Sequence, residues 1–248
     1  MRSLLVPYHH AEALPALAGA FPGADAVVVS KGPPGAMLTR LYEMAAQRVA
    51  ASDEPIVVVS GDCATSLATV AGLQRRGIAP GVIWLDAHAD FHTPRTTRSG
   101  SFSGMALAML TGRAGLSLAN AIALRAVTES ACVLVGARDL DPAERAALDA
   151  SEVRRIALDE LASAALPEPP WYLHVDIDLA DPAELPPLRF PAPGGPSLAG
   201  VAAALRTLAG RGTIAALGLA CTFTAQALAE PGALERVRPL IGAAFDAR

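Results

Sequence analysis

Short apolar runs alternate along the chain with longer stretches in which apolar residues recur every three to four positions. "PIVVVSG" (55–61) and "GVIWLD" (81–86) are apolar at consecutive positions, so strands built from them must be covered on both faces. The pattern predicts strands at 4–7, 26–30, 56–60, 81–86, 132–136, 153–158, 172–178 and 214–219. Helical spacing predicts helices at 12–20, 36–51, 64–76, 104–111, 142–150, 198–209 and 233–245. Strands that alternate with helices imply a parallel sheet joined by right-handed crossovers, an α/β fold. The Pro-rich stretches "ALPEPPWYLHV" and "LPPLRFPAPGGPS" each adjoin a strand and read as loops. With no repeat and no break in composition, a single domain over 1–248 is expected.

Composition narrows the partners. Hydrophobic residues make up 52% of the 248 and charged residues 18%, which suits a core-rich globular chain rather than a disordered one. A net charge of -4 without a basic run argues against nucleic acid. No uninterrupted apolar stretch is long enough to predict a membrane span, and Pro7, His9, His10 and Glu12 break up the N-terminal segment before a signal-like core can form. Three scattered cysteines (Cys63, Cys132, Cys221) suit a reducing compartment, so a cytoplasmic location is expected.

In open parallel sheets, ligands bind beyond the carboxyl ends of the strands. Three such ends, "VVVSGDCATS", "VIWLDAHADFH" and "YLHVDIDLADP", hold Asp62, Cys63, Asp86, His88, Asp90, His92, His174, Asp176, Asp178 and Asp181. Asp86, His88 and Asp90 share one face if the chain stays extended past Asp86, and Asp176 and Asp178 form a second pair. Buried carboxylates cost on the order of several kcal/mol each unless protons, arginines or divalent cations compensate them. An imidazole among them favours a transition metal. The bland alternative is helix capping by single aspartates, with Asp62 before "CATSLATVAGL" the plainest case. A phosphate cradle at "VSGDCATS" is disfavoured, because both glycine-rich phosphate-loop patterns are missing.

In order and spacing, "SGDCATS", "DAHADFHTPRTTRSGS", "VGARDLDPAE" and "HVDIDLADP" resemble the arginase/agmatinase/formiminoglutamase ureohydrolases, over about residues 56–220. The resemblance implies a three-layer α/β/α sandwich around a mostly parallel sheet of about eight strands. It also implies a pair of manganese ions, a small-molecule substrate, homo-oligomers (trimers or hexamers), and hydrolysis of guanidino- or amidine-type C–N bonds by a metal-bridging hydroxide. By that resemblance Asp86 and Asp176 bridge the metals, and His88 and Asp178 complete the second site. Asp90 belongs to the first site and to catalysis, where it could also hydrogen-bond the hydroxide.

Several positions depart from the family pattern. Cys63 stands where a G-G-D-H motif supplies a histidine ligand to the first metal. A thiolate there would favour Zn2+ or Fe2+ over Mn2+, and a small buried cysteine without a ligand role is the other reading. Ser103 occupies the position of a proton-shuttle histidine. "LGLACTFT" holds no carboxylate where the family has a glutamate that pairs with guanidinium. Other positions persist: by the resemblance Thr97, Ser99 and Ser101 would stand near the substrate's amino-acid end, and Asp141 matches the position that holds an α-amino group. His92 replaces an asparagine that contacts the α-carboxylate, or is simply a loop residue. His174 reads as a satisfied core histidine or as one that orients a ligand, while His9 and His10 carry no assignment.

Two functions follow. One is a metal-dependent hydrolase of guanidino, amidine or amide C–N bonds in a small amino-acid-like substrate, with a variant that keeps a single metal at Asp86, His88, Asp176 and Asp178. The other is a non-catalytic scaffold of the same fold that binds a ligand or a partner subunit.

Overall fold

The computed structural model describes residues 2–245 except 22, 116 and 231. Its strands are β1 (Arg2–Val6), β2 (Tyr8–His9), β3 (Glu12–Ala13), β4 (Asp25–Ala26), β5 (Ile56–Ser60), β6 (Gly81–Leu85), β7 (Cys132–Val135), β8 (Arg154–Ile156), β9 (Trp171–Asp176) and β10 (Ile214–Ala220). Eight of them form one sheet in the order β4-β1-β5-β10-β9-β6-β7-β8, and every pairing in it is parallel. The remaining pair, β2 and β3, is a small antiparallel hairpin.

Consecutive side chains of the central strands enter opposite cores, which is why those strands are apolar throughout. Ile56, Val58, Val82 and Trp84 join Leu41 of helix Pro34–Ala50 and Leu67 of helix Ser66–Arg75. Val57, Val59, Ile83 and Leu85 join Leu205 of helix Leu198–Arg211 and Leu240 of helix Arg238–Phe245. The sheet is thus the middle layer of three. Because β5, β10, β9 and β6 lie side by side, their carboxyl ends open on one crevice.

Several predicted elements differ from those observed; the helix expected at 233–245 begins only at Arg238, and the strand expected at 153–158 spans Arg154–Ile156. The helix expected at 12–20 begins only at Pro15, with Glu12–Ala13 paired in the hairpin. Proline has no N–H for a helix interior but suits the first turn. The strand expected at 26–30 shrinks to Asp25–Ala26, since β1 runs into Pro7, which cannot donate to extend the ladder. The strand expected at 172–178 stops at Asp176, whose carboxylate accepts the amide of Asp178 at 3.0 Å and turns the chain into the 3-10 helix Ile177–Leu179. Among the described residues, no helix is long and apolar enough to cross a membrane.

Candidate metal centre

Strand β6 ends at Leu85, so Asp86, His88 and Asp90 converge from a loop rather than an extended strand. The two-residue alternation nevertheless persists in that loop. Ala87, Ala89 and Phe91 are fully buried, with Ala89 and Phe91 in the core beneath the sheet end, while His88, Asp90 and His92 line a cavity. Asp90 takes a left-handed conformation (φ 52°), which aspartate tolerates better than most residues. Backbone bonds from Arg138 and Asp139 to the Ala87 carbonyl, at 2.8 and 3.0 Å, tie this loop to the segment after β7.

The cavity has a volume of about 230 Å³. Asp90, Asp176 and Asp178 line it, Asp86 lies 3.6 Å from the lining His88, and all four carboxylates are buried. His88 Nδ1 lies 3.0 Å from Asp178 Oδ2 and 3.6 Å from Asp86 Oδ1. Trp84 Nε1 donates to Asp86 Oδ2 at 3.1 Å, and Thr222 Oγ1 donates to Asp176 Oδ1 at 2.7 Å. Cys63, in the turn after β5, donates its Sγ hydrogen to Asp176 Oδ2 at 2.9 Å. Asp90 Oδ2 is buried without any partner. Among the described residues no arginine or lysine pairs with these four carboxylates.

The electrostatics follow from this shortage of positive charge. Burial, reinforced by Asp178, pushes Asp176 up to about 7, and burial with Asp86 does the same for Asp178. Burial also raises Asp86 and, with Asp86 adding to it, raises Asp90 further still. For His88, burial opposes the charge, but Asp178 and Asp86 prevail and push it up to about 12. Burial, with Asp176 and Asp90 nearby, lifts the Cys63 thiol well above the usual range. A divalent cation would replace the shared protons. Among the described residues three sets of side chains bring ligand atoms close enough to hold one; two contain these carboxylates, Asp86, His88 and Asp178, and Cys63, Asp86, Asp90 and His174, and the third is His9, His10 and Asp62.

The cavity wall is also acidic. Asp139, Asp141 and Glu144 line it, as do Ser99, Ser101, Ser103 and His92. Asp141 both caps helix Pro142–Asp149 and sits 3.3 Å from His92 Nε2. Glu144 accepts the Phe91 amide at 2.9 Å. His10 Nε2 reaches Ser103 Oγ at 3.2 Å. Thr97 is not among the lining residues, and its hydroxyl accepts from the Gly100 amide at 3.1 Å. Asp62 accepts from Thr65, Tyr42 and His10 as a cap.

Glu144, Asp139, Thr222 and the reach of His10 are site features absent from the sequence-based candidates. Glu144 lies three residues after Asp141, one helical turn that faces the same way, and that spacing was a usable signal. Thr222 gave none, because only the sheet order brings it to the crevice, and neither did His10, which sits in the turn of the β2–β3 hairpin.

Fold and site together define a class: a three-layer α/β/α protein with a carboxylate-rich, metal-competent crevice at the carboxyl ends of its parallel strands. A sequence model described as the Arginase family matches residues 19–222, and the chain belongs to that family. It is 37% identical over 170 residues to an arginase of Brucella melitensis, a match covering 61% of this chain and 55% of that protein. It is 34% identical over 139 residues to an N(omega)-hydroxy-L-arginine amidinohydrolase of Streptomyces lavendulae, covering 54% of this chain and 49% of that one. The chain therefore spans about half the length of these relatives. Among solved structures, an arginase from Bacillus cereus superposes with a TM-score of 0.82 at 22% identity, over 100% of this chain and 98% of that one, which establishes the shared fold.

Proposed function

We propose that the crevice holds one or two divalent cations and that the chain hydrolyses a guanidino, amidine or amide C–N bond in a small amino-acid-like substrate. The observation that carries this reading is the set of four buried carboxylates that, among the described residues, have no arginine or lysine partner, three of them lining an accessible cavity and Asp90 Oδ2 without a hydrogen-bond partner. His88 and Asp178 would complete one site and Cys63 and Asp90 another, with Asp86 and Asp176 between them. A cation held there supplies Lewis acidity and lowers the pKa of water toward neutrality.

The remaining roles belong to the chain's own side chains. Asp139, Asp141 and Glu144 favour a cationic amino group on the substrate, while His92, Ser99 and Ser101 offer polar contacts nearby. Ser103 cannot hold a proton near neutrality, but His10, 3.2 Å from it, can accept one relayed through the hydroxyl. Family membership favours manganese, a small-molecule substrate and a homo-oligomer (trimer or hexamer). We propose these too, together with a single domain over 1–248 and a cytoplasmic setting.

The test is metal analysis of the purified chain, followed by urea or ammonia release across a panel of guanidines, amidines and amides. Bound metal with turnover supports the hydrolase. Bound metal without turnover across the panel favours the ligand-binding scaffold instead, a reading to which the lack of a carboxylate on β10 or at 221–224 lends weight.

A further inference from the structure

Among the described residues, three buried side-chain polar atoms lack a hydrogen-bond partner: Asp90 Oδ2, Ser101 Oγ and His174 Nε2. The third is the least expected. His174 is 1% exposed, in the middle of β9, and a buried ring nitrogen left unpaired costs on the order of 1–3 kcal/mol. It lies two residues before Asp176, on the same face of the strand. Cys63, Asp86, Asp90 and His174 each bring one ligand atom within 4.8 Å of all the others, and all four residues are buried.

The ring is held at its other nitrogen and on one face. Its other nitrogen, Nδ1, lies 2.9 Å from Ser66 Oγ, which in turn accepts from Tyr172 Oη at 2.7 Å. Its face stacks on Trp84, the residue opposite it in β6, with centroids 3.7 Å apart and planes 22° from parallel. Trp84 in turn fixes Asp86 Oδ2. Metal-bound imidazoles are generally oriented in this way, with the second nitrogen donating to a neighbouring oxygen.

We propose that His174 is a metal ligand, and that Cys63 Sγ, His174 Nε2 and the carboxylates of Asp86 and Asp90 form a mixed sulfur, nitrogen and oxygen site that prefers Zn2+ or Fe2+ to Mn2+. This inference rests on the reading that the crevice holds metal, and it assigns one of the sites. In effect the imidazole is supplied from β9 instead of from the turn after β5. With Nδ1–H donated to Ser66 Oγ, Nε2 presents its lone pair to the cation. Cys63 binds as thiolate, and its proton, now shared with Asp176, leaves to solvent as the metal–sulfur bond forms. A thiolate and an imidazole together favour the softer and later divalent ions, and manganese stands lowest in that order.

The test uses the full-length chain, stripped with a chelator and titrated separately with Co2+, Zn2+ and Mn2+. The wild type should bind Zn2+ at least about 100-fold more tightly than Mn2+. Its cobalt form should show a near-ultraviolet thiolate charge-transfer band. His174→Gln should weaken one equivalent of Zn2+ by at least about 100-fold, more than the 10–100-fold cost of losing an orienting partner, and Ser66→Ala should fall within that smaller range. Equal Zn2+ affinity in His174→Gln and wild type, with an unchanged cobalt spectrum, overturns the assignment while leaving the hydrolase reading intact. No metal bound by the wild type overturns both. Should His174→Gln fail to fold, 15N-histidine spectra of the wild type decide: the His174 Nε2 resonance must shift when Zn2+ is added, and a stationary resonance overturns the proposal.

Discussion

At the scale of single residues, the centre is governed by a mismatch between charge and burial. Asp86 touches both candidate ligand sets, so its removal should be felt by any cation in the crevice. Asp86→Ala is expected to lower metal affinity by at least about 100-fold, more than the loss of an outer partner would; calorimetric titration with Mn2+ and Zn2+ measures it. Cys63 sets the character of the site more than its existence. Cys63→His should move the preference toward Mn2+ and abolish the cobalt charge-transfer band, because imidazole is harder than thiolate. An unchanged ratio of Mn2+ to Zn2+ affinity would count against any coordination by Cys63.

At the scale of elements, the crevice depends on how loops are pinned to strand ends. The Arg138 guanidinium donates to the carbonyls of Asp178, Leu179, Ala192, Pro193 and Gly194, which fastens the long segment after β9 beside the carboxylates. Gly195, at φ 109°, lets the backbone pass where a Cβ would meet that guanidinium and the Leu179 carbonyl. Lysine cannot reproduce the fan of donors, so Arg138→Lys should destabilise the fold by about 2 kcal/mol, read from denaturant midpoints. A second pin lies inside the sheet. Gly218 faces His174 from β10, and a Cβ there would collide with Tyr172 Oη, which holds Ser66. Gly218→Ala should destabilise by about 1–3 kcal/mol and weaken Zn2+ binding as well, a pairing that joint thermal and metal titrations would detect.

At the scale of the whole molecule, stability should depend on pH and metal together. In the metal-free chain, Asp176 and Asp178 sit at about 7, above their unfolded values of roughly 4. The folded state then binds more protons, so their contribution is fully present below about pH 4 and is lost as the pH rises through about 7. His88, held near 12 against roughly 6.5 unfolded, acts in the same direction: its contribution is complete below about 6.5 and declines above it. The melting temperature of the chelated protein should therefore fall between about pH 5 and about pH 8, and saturating metal should reverse that fall. A flat profile in the absence of metal would show that the four carboxylates are already balanced.

The chain itself specified the layered α/β architecture, because runs apolar on both faces can only be buried between two layers of helices. It also specified the two acidic strand ends, down to the alternation that survives in the loop from Asp86 to Asp90. What it left open was set by strand order. Only the placement of β10 and β9 between β5 and β6 brings Cys63, Thr222, Asp176 and Asp86 together, and only the register of Trp84 with His174 stacks the indole on the buried imidazole. Local sequence fixes which face a side chain occupies. Which distant side chains it meets there is decided by pairing across the sheet, and a histidine that one sequence window makes look satisfied turns out in three dimensions to hold an unused lone pair or proton at Nε2.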